Sequence, residues 1–233
     1  MVSQPEKTCS FDCEYCQLGP TRRQTAQRRE FVPIARLADE LARLPALDLD
    51  YVTFSGTAEP TLAANLGEAI VLARERLSAP VAVLTNSSLV SDPAVRAELS
   101  LADEVVAKLD APTEPLLRRV NRPAAGITLH SILDGLRALR REYAGRLALQ
   151  IMFYRANQCH AEALAGLASE LQPEEVQINT PLRPCAVRPL EPKVLAEIKQ
   201  AFAHLPAISV YETTRPPVEP IDAEETRLRR PVP

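Results

Sequence analysis

The chain has 233 residues, 46% hydrophobic and 24% charged, which describes an ordinary globular unit with a buried core and excludes wholesale disorder. At this length about 70% or more of the unfolded surface is buried on folding, so neither disulfides nor a structural metal are required merely to fold. A formal net charge of −3 excludes general attraction to nucleic acid or anionic membrane, and 21 prolines against 7 glycines exclude a glycine-rich low-complexity chain.

Met1 to Lys7 has no apolar core and is no secretory signal, and no run of about 18 apolar residues spans a bilayer; both point to the cytoplasm. Cys9, Cys13 and Cys16 follow within eight residues, whereas Cys159 and Cys185 stand far apart. A disulfide framework spreads its cysteines and needs an oxidising compartment. Three thiols at C-x₃-C-x₂-C spacing are better suited to one polynuclear metal centre. Iron–sulfur clusters ordinarily take four thiolates, so three leave one iron open to a substrate. Tyr15 sets a flat ring beside that position. Zinc is the second reading and wants a fourth Cys or His; the histidines, His130, His160 and His204, all lie more than a hundred residues away. Chance packing of three cysteines is the third.

Next, Arg22, Arg23, Arg28 and Arg29 form a basic run. Beside a site such a run suits the phosphates of a tRNA or nucleotide; otherwise it is a solvated loop. No aromatic residues interleave with it, so a stacking platform for single strands is not expected.

Beyond the run, short apolar stretches alternate with segments of helical period. The predicted strands are Tyr51–Ser55, Val81–Thr85, Glu104–Leu109, Leu147–Phe153, Glu175–Asn179 and Ile208–Tyr211. Helices are predicted from Pro33 to Leu44, from Leu62 to Leu77, after the Asp92-Pro93 cap signal, from Thr128 to Tyr143, from Asn157 to Leu171 and from Glu191-Pro192 to Phe202. Unbroken apolar strands between helices argue for a parallel sheet covered by helices. Six units are fewer than the eight of a closed barrel, so the expected fold is α/β, an open or partial (β/α)6 barrel over residues 1–211. Polar residues gather at the strand ends: Ser55 to Glu59, Thr85 to Ser88, Lys108 to Asp110, and Asn179-Thr180. That pattern describes the wall of a site. Residues 212–233 read as a Pro- and Arg-rich tail with one short helix near Ala223–Arg230.

The string Lys7-Thr8-Cys9-Ser10-Phe11-Asp12-Cys13-Glu14-Tyr15-Cys16-Gln17-Leu18-Gly19 resembles the signature of the radical S-adenosylmethionine (SAM) superfamily. Within it, this string, Phe54-Ser55-Gly56-Thr57-Ala58-Glu59-Pro60-Thr61-Leu62 and Gln177-Ile178-Asn179-Thr180-Pro181 resemble an Fe–S oxidoreductase branch related to archaeal wyosine-type tRNA modification enzymes. The resemblance implies a partial (β/α)6 barrel and a 4Fe-4S cluster on Cys9, Cys13 and Cys16, its open iron chelated by SAM. Tyr15 would stack near the adenine. Ser55, Gly56 and Thr57 would meet the methionine amino group, with Ala58 replacing a glycine often found there. Asn86, Ser87, Lys108 and Asp110 would contact the carboxylate or ribose, and Gln150 and Met152 the adenine side. The implied reaction is one-electron cleavage of SAM to a 5′-deoxyadenosyl radical that abstracts hydrogen from a substrate, fed by a low-potential donor of flavodoxin or ferredoxin type. The resemblance also places a strand ahead of the cysteine loop, so a shortened first strand or a truncated start is expected.

Two other classes of function remain: an iron–sulfur electron-transfer protein that never meets SAM, and a zinc-stabilised binding module. Cys159 and Cys185 fall short of a second cluster's ligand set and are expected to be packed thiols. Glu59 and Glu114 are expected to be solvated or structural carboxylates.

Overall fold

The computed structural model describes residues 6–212, together with Ile221 and Glu224. The tail and its short helix therefore fall almost wholly outside the described residues, as does most of the segment ahead of the cysteine loop. There, β1 (Thr8–Cys9) is a two-residue strand parallel to β2 (Arg23–Gln24).

The remaining strands are β3 (Val52–Phe54), β4 (Val81–Thr85), β5 (Glu104–Lys108), β6 (Arg146–Met152), β7 (Glu175–Asn179) and β8 (Ala207–Ser209). They form one parallel sheet in chain order, with β3 and β8 at its edges. All six agree with the predicted runs to within two residues at each end, β8 ending two residues early. β4 and β5 consist almost entirely of buried residues, as expected where helices cover both faces of a parallel sheet.

The helices are α1 (Ile34–Ala42), α2 (Leu66–Arg76), α3 (Pro93–Leu99), α4 (Glu114–Val120), α5 (Leu129–Glu142), α6 (Ala161–Leu171) and α7 (Pro192–Gln200). Local chemistry sets their starts. Asp92 accepts the Ala94 amide at 2.9 Å to open α3. Thr128 and Ser131 form a reciprocal capping box on α5, satisfying two otherwise orphaned groups. Three expectations shift. Pro33 is the N-cap of α1, not its first-turn residue. The segment expected to open the second helix is a 3₁₀ turn, Pro60–Leu62, capped by the Glu59 side chain. Asn157 precedes a second 3₁₀ turn, so α6 begins four residues later. The short helix α4 carries no counterpart among the predicted elements.

The core lies between sheet and helices, with Leu147, Leu149, Ile151, Phe153 and Phe202 fully buried. Phe153 and Phe202 meet edge to face at 6.1 Å. The sheet is strongly curled: residues at the C-terminal ends of all six strands line one cavity. A flat sheet would separate its outer strands by about 24 Å at the usual spacing of about 4.8 Å, too far to share it.

Candidate active site

The cavity has a volume of about 520 Å³. Cys9, Cys13 and Cys16 line one side, and the strand ends face them across it. The cysteine loop is stitched in place by backbone bonds on two flanks. On the β3 side, Thr8 N–H donates to Thr57 O at 3.3 Å and Glu59 N–H to Thr8 O at 3.2 Å. On the other side the end of α4 receives it: Asp12 N–H donates to Asn121 O and Glu14 N–H to Val120 O, each at 2.9 Å. Arg122, just past α4, adopts φ 46°, a left-handed turn that exposes these carbonyls.

Glu59 is a buried carboxylate, 4% exposed. Its Oε1 accepts from Thr61 N at 3.2 Å, Thr61 Oγ1 at 2.7 Å and Thr85 Oγ1 at 2.6 Å, and its Oε2 from Asn86 N at 2.8 Å. Burial raises its pKa above the ordinary carboxylate value, and these four hydrogen bonds oppose that rise. Glu59 is thus a structural carboxylate, as expected, but a buried one, not a solvated one.

Asp110 organises the opposite flank. Its Oδ2 accepts from the Tyr15 hydroxyl and, at 2.8 Å, from Asn121 Nδ2; its Oδ1 accepts from Met152 N at 2.8 Å. Asn157, expected from the sequence to open a helix, is fully buried and donates from Nδ2 to Asp110 O and Met152 O, each at 3.0 Å. Tyr15 meets Tyr154 edge-on at 5.9 Å and lies 5.1 Å from Lys108 Nζ. Burial, then the neighbouring Asp110 carboxylate, holds the Tyr15 hydroxyl in its protonated form.

Of the residues singled out from sequence, Tyr15, Ser55, Gly56, Asn86, Lys108, Gln150 and Met152 line the cavity with the three cysteines. Gly56 takes φ 142°, a conformation that favours glycine. Lys108 Nζ donates to Gln150 Oε1 at 3.2 Å. Three residues are not on that wall. Thr57 lines a neighbouring apolar cavity of about 170 Å³ beneath α1. Ser87 is buried with φ 69°, its Oγ donating to Lys108 O at 2.9 Å. Asp110 stands behind Tyr15 and Met152. Sequence reasoning missed Asn121 and Arg183. Arg183 lines the rim and donates to Gln17 Oε1 at 3.0 Å, across 166 positions of chain.

Within the arginine run, Arg28 is committed to the fold, whereas Arg22, Arg23 and Arg29 are exposed. Arg28 donates to Thr61 O at 2.9 Å and Ala63 O at 2.8 Å and pairs with Glu98. The Arg29 guanidinium lies 4.6 Å over the Phe31 ring.

Cys9, Cys13 and Cys16 are free and half-buried, as is Cys185, whereas Cys159, expected to be packed, is exposed. Burial, then the Glu59 charge, pushes the Cys9 thiol up to about 12; burial, then Asp110, pushes Cys13 up to about 11. Unligated, both are protonated at neutral pH, whereas a coordinating metal deprotonates a thiol outright. Donors already point at the sulfurs: Phe11 N and Asn86 Nδ2 lie 3.4 Å from Cys9 Sγ, and Asn121 Nδ2 lies 3.4 Å from Cys13 Sγ. Among the described residues, no three His, Cys, Asp or Glu side chains converge on one position for a single metal ion. In a four-iron cluster each cysteine binds its own iron, and three thiols around one cavity fit that donor set.

The family model for the radical SAM superfamily matches residues 5–168. The chain belongs to the radical SAM superfamily. Two curated relatives are UPF0026 protein slr1464 from Synechocystis, 42% identical over 76% of this chain and 67% of that protein, and UPF0026 protein MJ1312 from Methanocaldococcus jannaschii, 34% identical over 86% of this chain and 64% of that one. The chain thus spans about two thirds of the length of either. A radical SAM methyltransferase from Sphaerobacter thermophilus has a similar fold, with TM-score 0.58 at 18% identity over 88% of this chain and 63% of that one. Among the described residues, no helix of this radical SAM protein is long and apolar enough to cross a membrane.

Proposed function

We propose that the chain is a radical SAM enzyme that binds a 4Fe-4S cluster through Cys9, Cys13 and Cys16 and SAM within the strand-end cavity. Bound together, cluster and SAM supply reductive cleavage of the sulfonium and hydrogen abstraction from a substrate. The observation that carries the reading is the convergence of the three cysteines and six parallel strand ends on one cavity of about 520 Å³, in a chain of this superfamily.

The chain's own residues divide the work by position. Asn86 and Asn121 donate to cysteine sulfurs. Gly56 brings backbone close to the cavity, offering acceptors to an ammonium group. Lys108, held by Gln150, offers a cation to a carboxylate, and Met152 with Tyr15 gives flat apolar surface to a base. Leu18 and Leu182 add apolar surface to the cavity lining. The reading includes a cytoplasmic setting and a low-potential donor of flavodoxin or ferredoxin type. A tRNA substrate draws less support, since Arg28 is engaged within the fold.

Electron paramagnetic resonance of the reconstituted, reduced protein tests this reading. Added SAM is expected to change the cluster signal, because it becomes a ligand of the open iron. A signal indifferent to SAM would support electron transfer alone.

A further inference from the structure

We propose that Asn121, at the end of α4, is a positioning residue that sets the reduction potential of the cluster through its amide contact with Cys13. This inference rests on the cluster assignment above and adds a role that the cysteine motif does not contain.

Asn121 is 1% exposed. Its Nδ2 lies 2.8 Å from Asp110 Oδ2, 3.2 Å from the Tyr15 hydroxyl and 3.4 Å from Cys13 Sγ. Its Oδ1 is buried with no partner. A buried carbonyl without a donor carries an uncompensated desolvation cost, so the amide is held this way round by something on its nitrogen side. Asp110 supplies that constraint: a flipped amide would set carbonyl oxygen against carboxylate oxygen at 2.8 Å. The result is an N–H group presented to a cysteine sulfur and unable to turn away.

The backbone fixes the same geometry. Cys13 stands between Asp12 and Glu14, whose amides both bind carbonyls at the end of α4, one of them Asn121's own. Helix end, asparagine side chain and sulfur therefore move as one body. Asn86 presents the corresponding donor to Cys9 Sγ at 3.4 Å.

Adding one electron to the cluster increases negative charge on its iron–sulfur core and cysteine sulfurs. An N–H donor at a sulfur stabilises the reduced form more than the oxidised form and raises the potential. Tyr15, Asp110 and Asn121, which surround this contact, are all buried, so water dilutes the effect little.

The test compares midpoint potentials of reconstituted wild-type, Asn121→Leu and Asn121→Asp proteins by redox titration followed by paramagnetic resonance, with iron content measured in each. Leucine keeps the volume and removes the donor; aspartate keeps the shape and replaces the amide with a carboxyl that shares a proton with Asp110 and leaves an oxygen toward the sulfur. Full clusters are expected in both variants, with the midpoint more negative than wild type in each. Unchanged midpoints on full clusters would overturn the assignment, and so would loss of the cluster from both variants, which would make Asn121 a packing residue. A wild-type protein that assembles no cluster would instead overturn the reading beneath it, and this one with it.

Discussion

The Glu59 carboxylate receives the backbone N–H of Asn86 at 2.8 Å, tying the segment after β3 to the turn after β4 beneath the cavity floor. Glutamine keeps the shape but turns an N–H₂ group toward one of the four donors. Glu59→Gln is expected to lose about 1 kcal/mol of stability at neutral pH, and Glu59→Ala about 2–3 kcal/mol, because buried donors are left unpaired. Urea denaturation of the unligated protein reads both.

Glu59 also gives stability a pH dependence of known sign. Its folded pKa is raised above the ordinary 4.5, chiefly by burial. Between those two values the folded chain holds more protons than the unfolded one, so its contribution is greatest below the ordinary value and declines as pH rises toward the folded value. The difference in urea midpoint between wild type and Glu59→Gln is expected to change across that window and level off above it. A constant difference from acid to neutral pH would contradict the burial of an ionisable group.

Two of the helical glycines, Gly135 and Gly166, are expected to behave oppositely. A Cβ on Gly135 would meet Ser91 N at 2.4 Å and Val90 C at 2.6 Å, both backbone atoms of the turn that α5 covers, whereas one on Gly166 meets nothing within 4 Å. Gly135→Ala should cost about 1–3 kcal/mol through overpacking. Gly166→Ala should add about 0.5–1 kcal/mol by helix propensity. Thermal unfolding of the two variants reads both signs.

Within the arginine run, Arg28 is expected to matter for stability and Arg22 not. Arg28 binds two backbone carbonyls and Glu98, so Arg28→Ala should lose about 1–3 kcal/mol. Arg22, exposed, should stay within about 0.5 kcal/mol on replacement by Ala. Equal effects would show that the run is a solvated surface throughout.

Much of this fold was legible because parallel strands covered on both faces spell themselves as apolar runs, as Val81–Thr85 does, and because Glu175–Asn179 alternates buried with half-buried positions; both match to the residue. Asp92 and Thr128 announced their helices through cap chemistry that acts over two or three positions. What stayed hidden depends on contacts distant in sequence. The seven residues of α4 are too few for a clear period, and nothing near Asn121 signals a sulfur 108 positions earlier. Glu59 looked like any carboxylate in a loop until the β4 end folded over it. Among the candidate site residues, Gly56 lines one cavity and Thr57 another, a distinction set by the path of the backbone after β3.

The central claim is tested most directly by incubating the anaerobically reconstituted protein with SAM and dithionite and measuring 5′-deoxyadenosine by chromatography. The nucleoside is expected from wild type and from Cys159→Ala, and its release, with the brown chromophore, should be lost from Cys9→Ala, Cys13→Ala and Cys16→Ala alike. A wild-type protein carrying about four irons per chain that leaves SAM intact, or a cysteine-loop variant that keeps both colour and cleavage, would contradict it.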